Sequence, residues 1–414
     1  MARFSRSSLI AGLLVLLLLF TAAFMLLPRT SRDQALASRR PKHPTTSAIA
    51  LPAPALVRAP APTSTPAATI APRPTSTPMP TAIPTDAPPT GDLGAALDRY
   101  MNNLVDAKLF HGTVLVARAG TIILSKGYGP ADSDHGIANS ANTRLRIASV
   151  TKQFTAAAVM QLVAQGKLHV EDPICMHIDN CPERWHQITI QHLLTHTHGL
   201  PNFTDFPSYE QTQMNPITVS ELLDKLRLQW PVWRPGAEYH YGNTGYVLLG
   251  AIIERVSGQQ YGDYLHDHVF APLGMDNTGV TYAPAAGENW ALPYQSFSRL
   301  APPLDTSTLF AAGAVYSTVE DMYRWDQALY SDQIVPQAQR DAMFTPFLNK
   351  YGYGWKIIDF KGHLCYRHPG EMDGARTMFQ RYPNDRVTVI VLANMHDANT
   401  DAIANYLAQV VFDS

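Results

Sequence analysis

The chain has 414 residues, enough for one large domain or for two to three domains of average size. Its net charge is -2, but the charge is unevenly distributed: residues 1–90 carry a net charge of +7 and the remaining residues carry a net charge of -9. An acidic second part without a cluster of Lys or Arg argues against nucleic-acid binding, and three cysteines without a short repeat exclude collagen-like, coiled-coil and disulfide-scaffold classes.

An apolar segment near the N-terminus is the first structural signal. Residues 1–8 form a basic N-terminus, and Leu9 to Leu27 is a run of 19 residues without a charge. A helix of this length spans roughly 28 Å, close to the hydrocarbon thickness of a bilayer. We interpret residues 9–27 as an uncleaved transmembrane signal anchor. The alternative is a cleaved signal peptide with its cleavage site at residues 36–38.

Residues 28–90 have the composition of a linker. They contain 15 of the 32 prolines and no Phe, Trp or Tyr, so they cannot build a core and are predicted to be a disordered Pro/Thr/Ala-rich spacer. The basic residues directly after the apolar run favour a cytoplasmic C-terminal side, whereas a Pro/Thr stalk is typical of a domain outside the cell. We predict a membrane-anchored protein with an extracytoplasmic folded domain; secretion after cleavage is the alternative.

Residues 91–414 are predicted to form one domain, because aromatic residues, charge and periodicity return together at Gly91. In chain order, the pattern predicts a helix at 92–108, a hairpin of strands at 113–118 and 121–126, helices at 150–164 and 244–256, a helix to 329 opened by a capping box at 317–320, a buried strand at 387–392 and a final helix at 400–411. Strands at both chain ends with helices between them favour an α+β fold with an antiparallel sheet over a doubly wound α/β fold.

The first candidate for chemistry is Ser149-Val150-Thr151-Lys152, where a loop runs into an apolar helix. Residues three apart share a helix face, so the Lys152 amine can reach the Ser149 hydroxyl. Because burial lowers the pKa of a lysine, a neutral Lys152 could take the hydroxyl proton, and the helix start could stabilise an oxyanion. In the structural alternative, Ser149 only caps the helix and Lys152 is solvated.

The second candidate is Tyr241-Gly242-Asn243, which lies between a turn and the start of a helix. A tyrosine held near a lysine could have a lowered pKa and shuttle protons. The alternative is that Tyr241 only packs and that Asn243 caps the helix that follows.

His368-Pro369-Gly370, the third candidate, follows a β-prone segment. An edge strand that contains glycine allows a substrate backbone to approach closely. The alternative is a surface hairpin with an incidental histidine.

Three histidines, His192, His196 and His198, have ligand-like spacing, but no acidic residue follows as in metal-binding helices. We expect them at the C-terminal end of a helix and expect no metal site. The chain also lacks Gly-x-Ser-x-Gly, which argues against an α/β-hydrolase nucleophile elbow.

Two of the three cysteines lie close together in the chain. Cys175 and Cys181 are expected to form a small disulfide ring in an oxidising compartment, with a reduced structural pair as the alternative. Cys365 is then left alone in a predicted strand.

The order of the three motifs resembles that of the serine β-lactamase and penicillin-binding-protein superfamily. The chain is most similar to the class C-type β-lactamase-related branch, which includes D,D-carboxypeptidases, D-aminopeptidases and esterases. The likeness extends from about residue 95 to residue 412, and it includes the segments at 190–201 and 313–325. It implies a β-lactamase-like fold with a mainly helical subdomain beside the sheet.

The resemblance also implies roles for the first two motifs. Ser149 would attack a carbonyl group and form an acyl-enzyme, and Lys152 and Tyr241 would share the general-base and general-acid work. Asn243 would hold Lys152 or the substrate amide. No metal ion or cofactor is implied.

In the third motif the chain departs from the family pattern. His368 replaces the Lys of the Lys-Thr-Gly signature, which weakens the cation that would bind a β-lactam carboxylate. The oxyanion hole would consist of the backbone N–H groups of Ser149 and of Glu371, the residue after Gly370. Glu371 stands where a small residue is common, and its carboxylate could repel an acidic substrate.

These features predict a serine hydrolase that acts through a Ser149 acyl-enzyme on small esters, amides or D-amino-acid peptides. Peptidase or esterase activity is expected ahead of efficient β-lactam hydrolysis, and the partner is a small-molecule or peptide substrate, cell-wall material included. The alternative is a non-catalytic or single-turnover sensor that binds cell-wall or β-lactam-like ligands. Repeated turnover distinguishes the two.

Overall fold

The computed structural model describes residues 90–280 and 289–414. The basic N-terminus at 1–8, the anchor at 9–27 and the linker up to residue 89 lie outside the described residues, so these assignments and the cellular location stay predictions. Within the two described ranges, no helix is both long and apolar enough to cross a bilayer.

The strands of the described residues come from several parts of the chain. They are β1 (Gly112–Arg118), β2 (Thr121–Tyr128), β3 (Pro130–Asp132), β4 (Ile137–Ala138), β5 (Leu145–Arg146), β6 (Gly279–Val280), β7 (Tyr294–Ser296), β8 (Arg299–Leu300), β9 (Val315–Ser317), β10 (Lys356–Phe360), β11 (His363–Met372), β12 (Ala375–Tyr382) and β13 (Val387–Ala393). The main sheet has six strands in the order β10-β11-β12-β13-β1-β2, and every neighbouring pair is antiparallel. This confirms the predicted antiparallel sheet built from both chain ends.

Helices fill most of the chain between these strands. They are α1 (Gly91–Asp106), α2 (Thr151–Ala164), α3 (Ile190–Leu194), α4 (Pro207–Thr212), α5 (Val219–Arg227), α6 (Thr244–Ser257), α7 (Tyr261–Leu265), α8 (Val319–Ala328), α9 (Gln337–Met343) and α10 (Thr400–Phe412). Helices α2 to α7 follow one another between β5 and β6, which is the predicted helical subdomain.

Alternating side chains of β1 divide the core between the two faces of the sheet. Val114 and Val116 pack in one cluster with Leu407 of α10, whereas Leu115 packs in another with Phe154 of α2. All are buried, and each such aliphatic side chain stabilises the fold by about 1.5–3 kcal/mol. The sheet is therefore covered on both faces, and α2 packs on the face next to the helical subdomain.

The start of α8 differs from the expectation. We predicted a capping box from Ser317 to Glu320, but Thr318 is the N-cap and its hydroxyl accepts from the Asp321 N–H. Ser317 is instead the last residue of β9, and its hydroxyl lies 2.7 Å from that of Thr278. Strand pairing with Leu145 extends the chain through Ser317 and moves the cap by one residue.

The cysteines occupy two different environments. Cys175 and Cys181 are joined by a disulfide. Cys365 is buried in β11, and burial raises the pKa of its thiol to about 12. A thiol of this pKa has almost no thiolate at neutral pH, so Cys365 is a packing residue.

Candidate active site

The Ser149 turn lies at the entrance to α2. A single helical turn over Ala148–Val150 precedes α2, and Ala148 has φ +50°, a left-handed conformation that costs a non-glycine residue energy. Val150, not Ser149, is the N-cap of α2, and it makes no side-chain cap bond. Lys152 is completely buried. Both parts of the structural alternative, a capping serine and a solvated lysine, are therefore wrong.

Lys152 contacts three oxygen atoms. Its Nζ lies 3.0 Å from Ser149 Oγ, 2.9 Å from Asn243 Oδ1 and 2.9 Å from the Ala312 carbonyl oxygen. Burial lowers the pKa of Lys152 well below its usual 10.5, so the neutral amine is favoured. A neutral amine has two N–H groups and one lone pair. The amide oxygen and the carbonyl take the two N–H groups, which leaves the lone pair for the Ser149 hydroxyl.

The Asn243 side chain is oriented from the opposite side. Its Nδ2 donates to Thr204 Oγ1 at 3.1 Å, and its backbone N–H donates to Asn202 Oδ1 at 2.8 Å. These bonds direct Oδ1 toward Lys152. Asn243 occupies the N-cap position of α6 but makes no side-chain cap bond, so the capping alternative is wrong.

Tyr241 approaches Ser149 from another direction. Its hydroxyl interacts with the Ser149 hydroxyl, and Lys152 Nζ lies 5.0 Å from the centre of its ring. Although 42% of the Tyr241 surface is exposed, desolvation around its hydroxyl raises the pKa above its ordinary value, and the interaction with Ser149 opposes the shift. The lowered pKa that we expected for Tyr241 is wrong, because desolvation outweighs the effect of its polar neighbours. Neutral Lys152 can accept a proton and protonated Tyr241 can donate one.

His368 lies on the free part of β11. Strand β10 pairs with residues 363–367, so among the described strands residues 368–372 have a neighbour on one side only. His368 is buried; its Nδ1 lies 2.6 Å from the Pro369 carbonyl oxygen and its Nε2 lies 2.8 Å from the Tyr351 hydroxyl. A carbonyl only accepts, so Nδ1 carries the proton and Tyr351 donates to Nε2. The surface-hairpin alternative is wrong.

The charge state of His368 follows from its surroundings. Burial lowers the pKa of His368 to about 3. The ring is therefore neutral at physiological pH. The third motif provides a neutral hydrogen-bonded ring where the family pattern has a lysine.

Gly370 and Glu371 follow directly along β11. A Cβ on Gly370 would lie 2.2 Å from Thr377 Oγ1 and 2.4 Å from the Ile147 carbonyl oxygen, so only glycine allows β11 to pack against the turn before Ser149. The Glu371 carboxylate is exposed and binds Arg376, its cross-strand partner, at 2.6 Å. The third motif therefore combines a close approach to the serine turn with an acidic side chain at the rim.

A match to the Beta-lactamase family covers residues 97–412. The chain belongs to the β-lactamase family. This β-lactamase-family chain is 31% identical to penicillin-binding protein 4* of Bacillus subtilis (strain 168), with 73% of this chain and 72% of the relative covered. Its structure is similar to that of an octameric penicillin-binding protein homologue from Pyrococcus abyssi, at a TM-score of 0.70, 26% identity and 77% coverage of each chain. It is also similar to a penicillin-binding protein from Bacillus halodurans, at a TM-score of 0.67, 27% identity and coverage of 76% and 98%.

These findings confirm the resemblance that the three motifs indicated. The protein is a serine hydrolase of the β-lactamase family, with the α+β fold of that family. The structure brings Ser149, Lys152, Tyr241 and Asn243 together, although Lys152 and Asn243 lie 91 positions apart in the chain.

The three histidines of this β-lactamase-family enzyme have structural surroundings. His192 caps the start of α3, where its Nδ1 accepts from the Thr189 N–H, rather than the end that we expected. His198 Nδ1 accepts from the Leu200 N–H, and His196 Nδ1 accepts from the Gly242 N–H. Across residues 90–280 and 289–414, no group of three or more His, Cys, Asp or Glu side chains is placed to hold a metal ion.

Several residues of the site were missed from the sequence. Ala312 contributes a backbone carbonyl, which has no side-chain signature. Thr204 and Tyr351 act through tertiary contacts with Asn243 and His368. Only Tyr351 had a signal that could have found it, because it opens the aromatic and glycine-rich segment just before the third motif.

Replacing Gly370 with alanine should disturb the serine turn. The added Cβ overlaps Ile147 and Thr377, and such overpacking costs about 1–3 kcal/mol. We expect a lower free energy of unfolding in urea together with a lower kcat/KM, because the turn that carries Ser149 must shift. The control is Gly262→Ala, whose Cβ would make an ordinary 3.4 Å contact with Val280. Equal behaviour of the two variants would refute the role of Gly370.

Proposed function

We propose that the enzyme hydrolyses small esters, amides or D-amino-acid peptides through an acyl-enzyme on Ser149, and that β-lactam hydrolysis is its weaker activity. The observation that carries the proposal is the placement of Lys152, a buried amine 3.0 Å from the serine oxygen with both N–H groups taken elsewhere. A nucleophile and a base within hydrogen-bond distance in a desolvated site are what acyl transfer requires.

Acylation begins at the Ser149 hydroxyl. Its oxygen bonds to the substrate carbonyl carbon while its proton passes to Lys152. The ammonium that forms is stabilised by the Asn243 and Ala312 oxygens, which already contact Nζ. The oxyanion takes the backbone N–H groups of Ser149 and Glu371 as donors; fixed donors of this kind stabilise the charge as it develops.

Tyr241 completes the first half of the reaction. Its hydroxyl gives a proton to the leaving oxygen or nitrogen as the carbonyl–leaving-group bond breaks, and the Lys152 ammonium returns a proton to Tyr241. The acyl group is then an ester of Ser149. In the second half, water attacks this ester and its proton follows the same path, and Ser149 regains its proton as the acid product departs.

The preference against carboxylate-bearing substrates rests on the third motif. His368 is neutral, and the nearby Arg376 is already paired with Glu371. Burial also lowers the pKa of Lys152 well below its usual value, which disfavours its cationic form. A substrate carboxylate therefore finds no unpaired cation among these groups. An uncharged ester or amide needs no such cation, because it brings no charge into the site.

A matched pair of substrates tests this preference. Benzylpenicillin and its methyl ester differ by one carboxylate charge, so the ratio of their acylation rates reports a cation in the site. We expect the methyl ester to acylate Ser149 at least as fast as the free acid, and p-nitrophenyl acetate to be turned over repeatedly. A preference of about tenfold or more for the free acid, equivalent to about 1.4 kcal/mol, would contradict the proposal.

The sensor alternative predicts different kinetics. A binding module needs no base, so the alignment of Lys152 with Ser149 argues against it. The relatives named as penicillin-binding proteins support the expectation that a penicillin acylates the serine. A stoichiometric burst of p-nitrophenol without further release would instead favour single turnover.

A further inference from the structure

His196 lies just beyond α3 in an unusual environment. It is buried and has φ +56°, in the left-handed region that few non-glycine residues adopt. Four tyrosine rings surround its imidazole, with centroids 4.5 to 5.9 Å away: Tyr239, Tyr241, Tyr246 and Tyr351. A strained residue enclosed by these rings is held by its surroundings and has one defined position.

His196 binds the backbone on both sides of Tyr241. Its carbonyl oxygen accepts from the His240 N–H at 2.9 Å, and its ring Nδ1 accepts from the Gly242 N–H at 3.4 Å. The two residues that flank Tyr241 in the chain therefore each donate a backbone N–H to His196. The imidazole also packs against the Tyr241 ring.

The protonation state of His196 suits this contact. Burial holds the pKa of His196 well below its usual 6.5. The neutral ring can present an unprotonated Nδ1 to the Gly242 N–H, whereas the protonated ring would point one N–H at another. Its Nε2 is buried and has no hydrogen-bond partner among the described residues, so Nδ1 is the ring atom that carries the polar contact.

We propose that His196 is a positioning residue that holds the Tyr241 hydroxyl on Ser149. This inference rests on the proposed function, in which Tyr241 is the proton donor. His196 makes no direct hydrogen bond to Ser149 or Lys152; it acts by fixing the backbone that carries Tyr241. A misplacement of about 1 Å in such a group can cost about 100-fold in rate.

Three substitutions of His196 distinguish a role in positioning Tyr241 from a role in packing alone. Asparagine places Oδ1 where histidine has Nδ1 and tolerates a left-handed φ, so H196N should retain kcat within about fivefold. H196A has no acceptor, and H196Q carries its acceptor one carbon farther out. Both should lower kcat about 10- to 100-fold with little change in KM. If H196A does not fold, the comparison of H196Q with H196N decides.

A double-mutant cycle gives the decisive readout. If His196 acts only through Tyr241, then adding H196Q to Y241F should lower kcat less than about threefold further, although each change alone has a large effect. A residue that merely stabilises the fold would give multiplicative losses. The control is H198A, which removes a buried histidine bound to the Leu200 N–H and should lower the melting temperature with little loss of kcat.

The outcomes separate this inference from the proposed function. Multiplicative losses, failure of H196N to restore activity, or an equal kcat loss in H198A would overturn the role of His196 while leaving the Ser149 chemistry intact. An unchanged kcat in Y241F would instead remove Tyr241 as proton donor and overturn the proposal on which the inference rests.

Discussion

Replacing Ser149 with alanine should lower kcat/KM for p-nitrophenyl acetate by on the order of 10⁴-fold or more, because no other hydroxyl contacts the Lys152 amine in the described site. The serine caps no helix, so its removal should change the free energy of unfolding by less than about 1 kcal/mol. Initial-rate kinetics and urea unfolding on the purified chain measure both quantities.

The matched control for this variant is Ser125→Ala. Ser125 is buried in β2, and its hydroxyl has no hydrogen-bond partner among the described residues. Its loss should leave kcat/KM unchanged. Full hydrolytic activity of Ser149→Ala on esters, amides and D-amino-acid peptides alike would mean that the nucleophile lies elsewhere.

Replacing Lys152 with methionine should separate activity from stability. Loss of the base should lower kcat/KM by about 10²- to 10⁴-fold. Methionine fills similar space and removes the cost of a buried amine, but it leaves the Asn243 and Ala312 oxygens without their donor, so the free energy of unfolding at neutral pH should fall by no more than about 3 kcal/mol. Lys126→Met is the control, because Lys126 is partly exposed and binds Asp98 far from the site.

The pH dependence of Lys152→Met provides a second check. In the parent, only the neutral amine accepts the serine proton, so kcat/KM should fall as pH drops through the lowered pKa of Lys152. A pKa below the unfolded value also means that stability is present at high pH and decreases as pH falls from about 10.5 toward the folded pKa. The methionine variant should lack both effects of this residue. An unchanged acid limb in its residual activity would rule out Lys152 as the base.

The regular part of the fold was predictable from local patterns. The hairpin turn at Ala119 and Gly120 has φ +51° and +83°, as a turn with two left-handed residues requires. Apolar periodicity located α2, α6 and α10 to within one or two residues. The two chain ends join where β1 pairs with β13, because a two-stranded hairpin alone is only marginally stable in water.

The electrostatics of the site were less accessible from the sequence. The raised pKa of Tyr241 depends on the desolvation of its surroundings, which only the folded chain defines. The protonation state of Lys152 depends on the Ala312 carbonyl, 160 positions away in the chain, and on the Asn243 amide. The three motifs therefore indicated which residues meet, whereas long-range packing decides which of them holds a proton.

The central claim is that Ser149 is an activated nucleophile. Its most direct test is the intact mass of the purified full chain after exposure to a fluorophosphonate, with Ser149→Ala treated in parallel. The account predicts one adduct per parent chain, mapped to the peptide that contains Ser149, and no adduct on the alanine variant. A folded parent chain that stays unmodified, or an alanine variant labelled at the parent's rate, would contradict it.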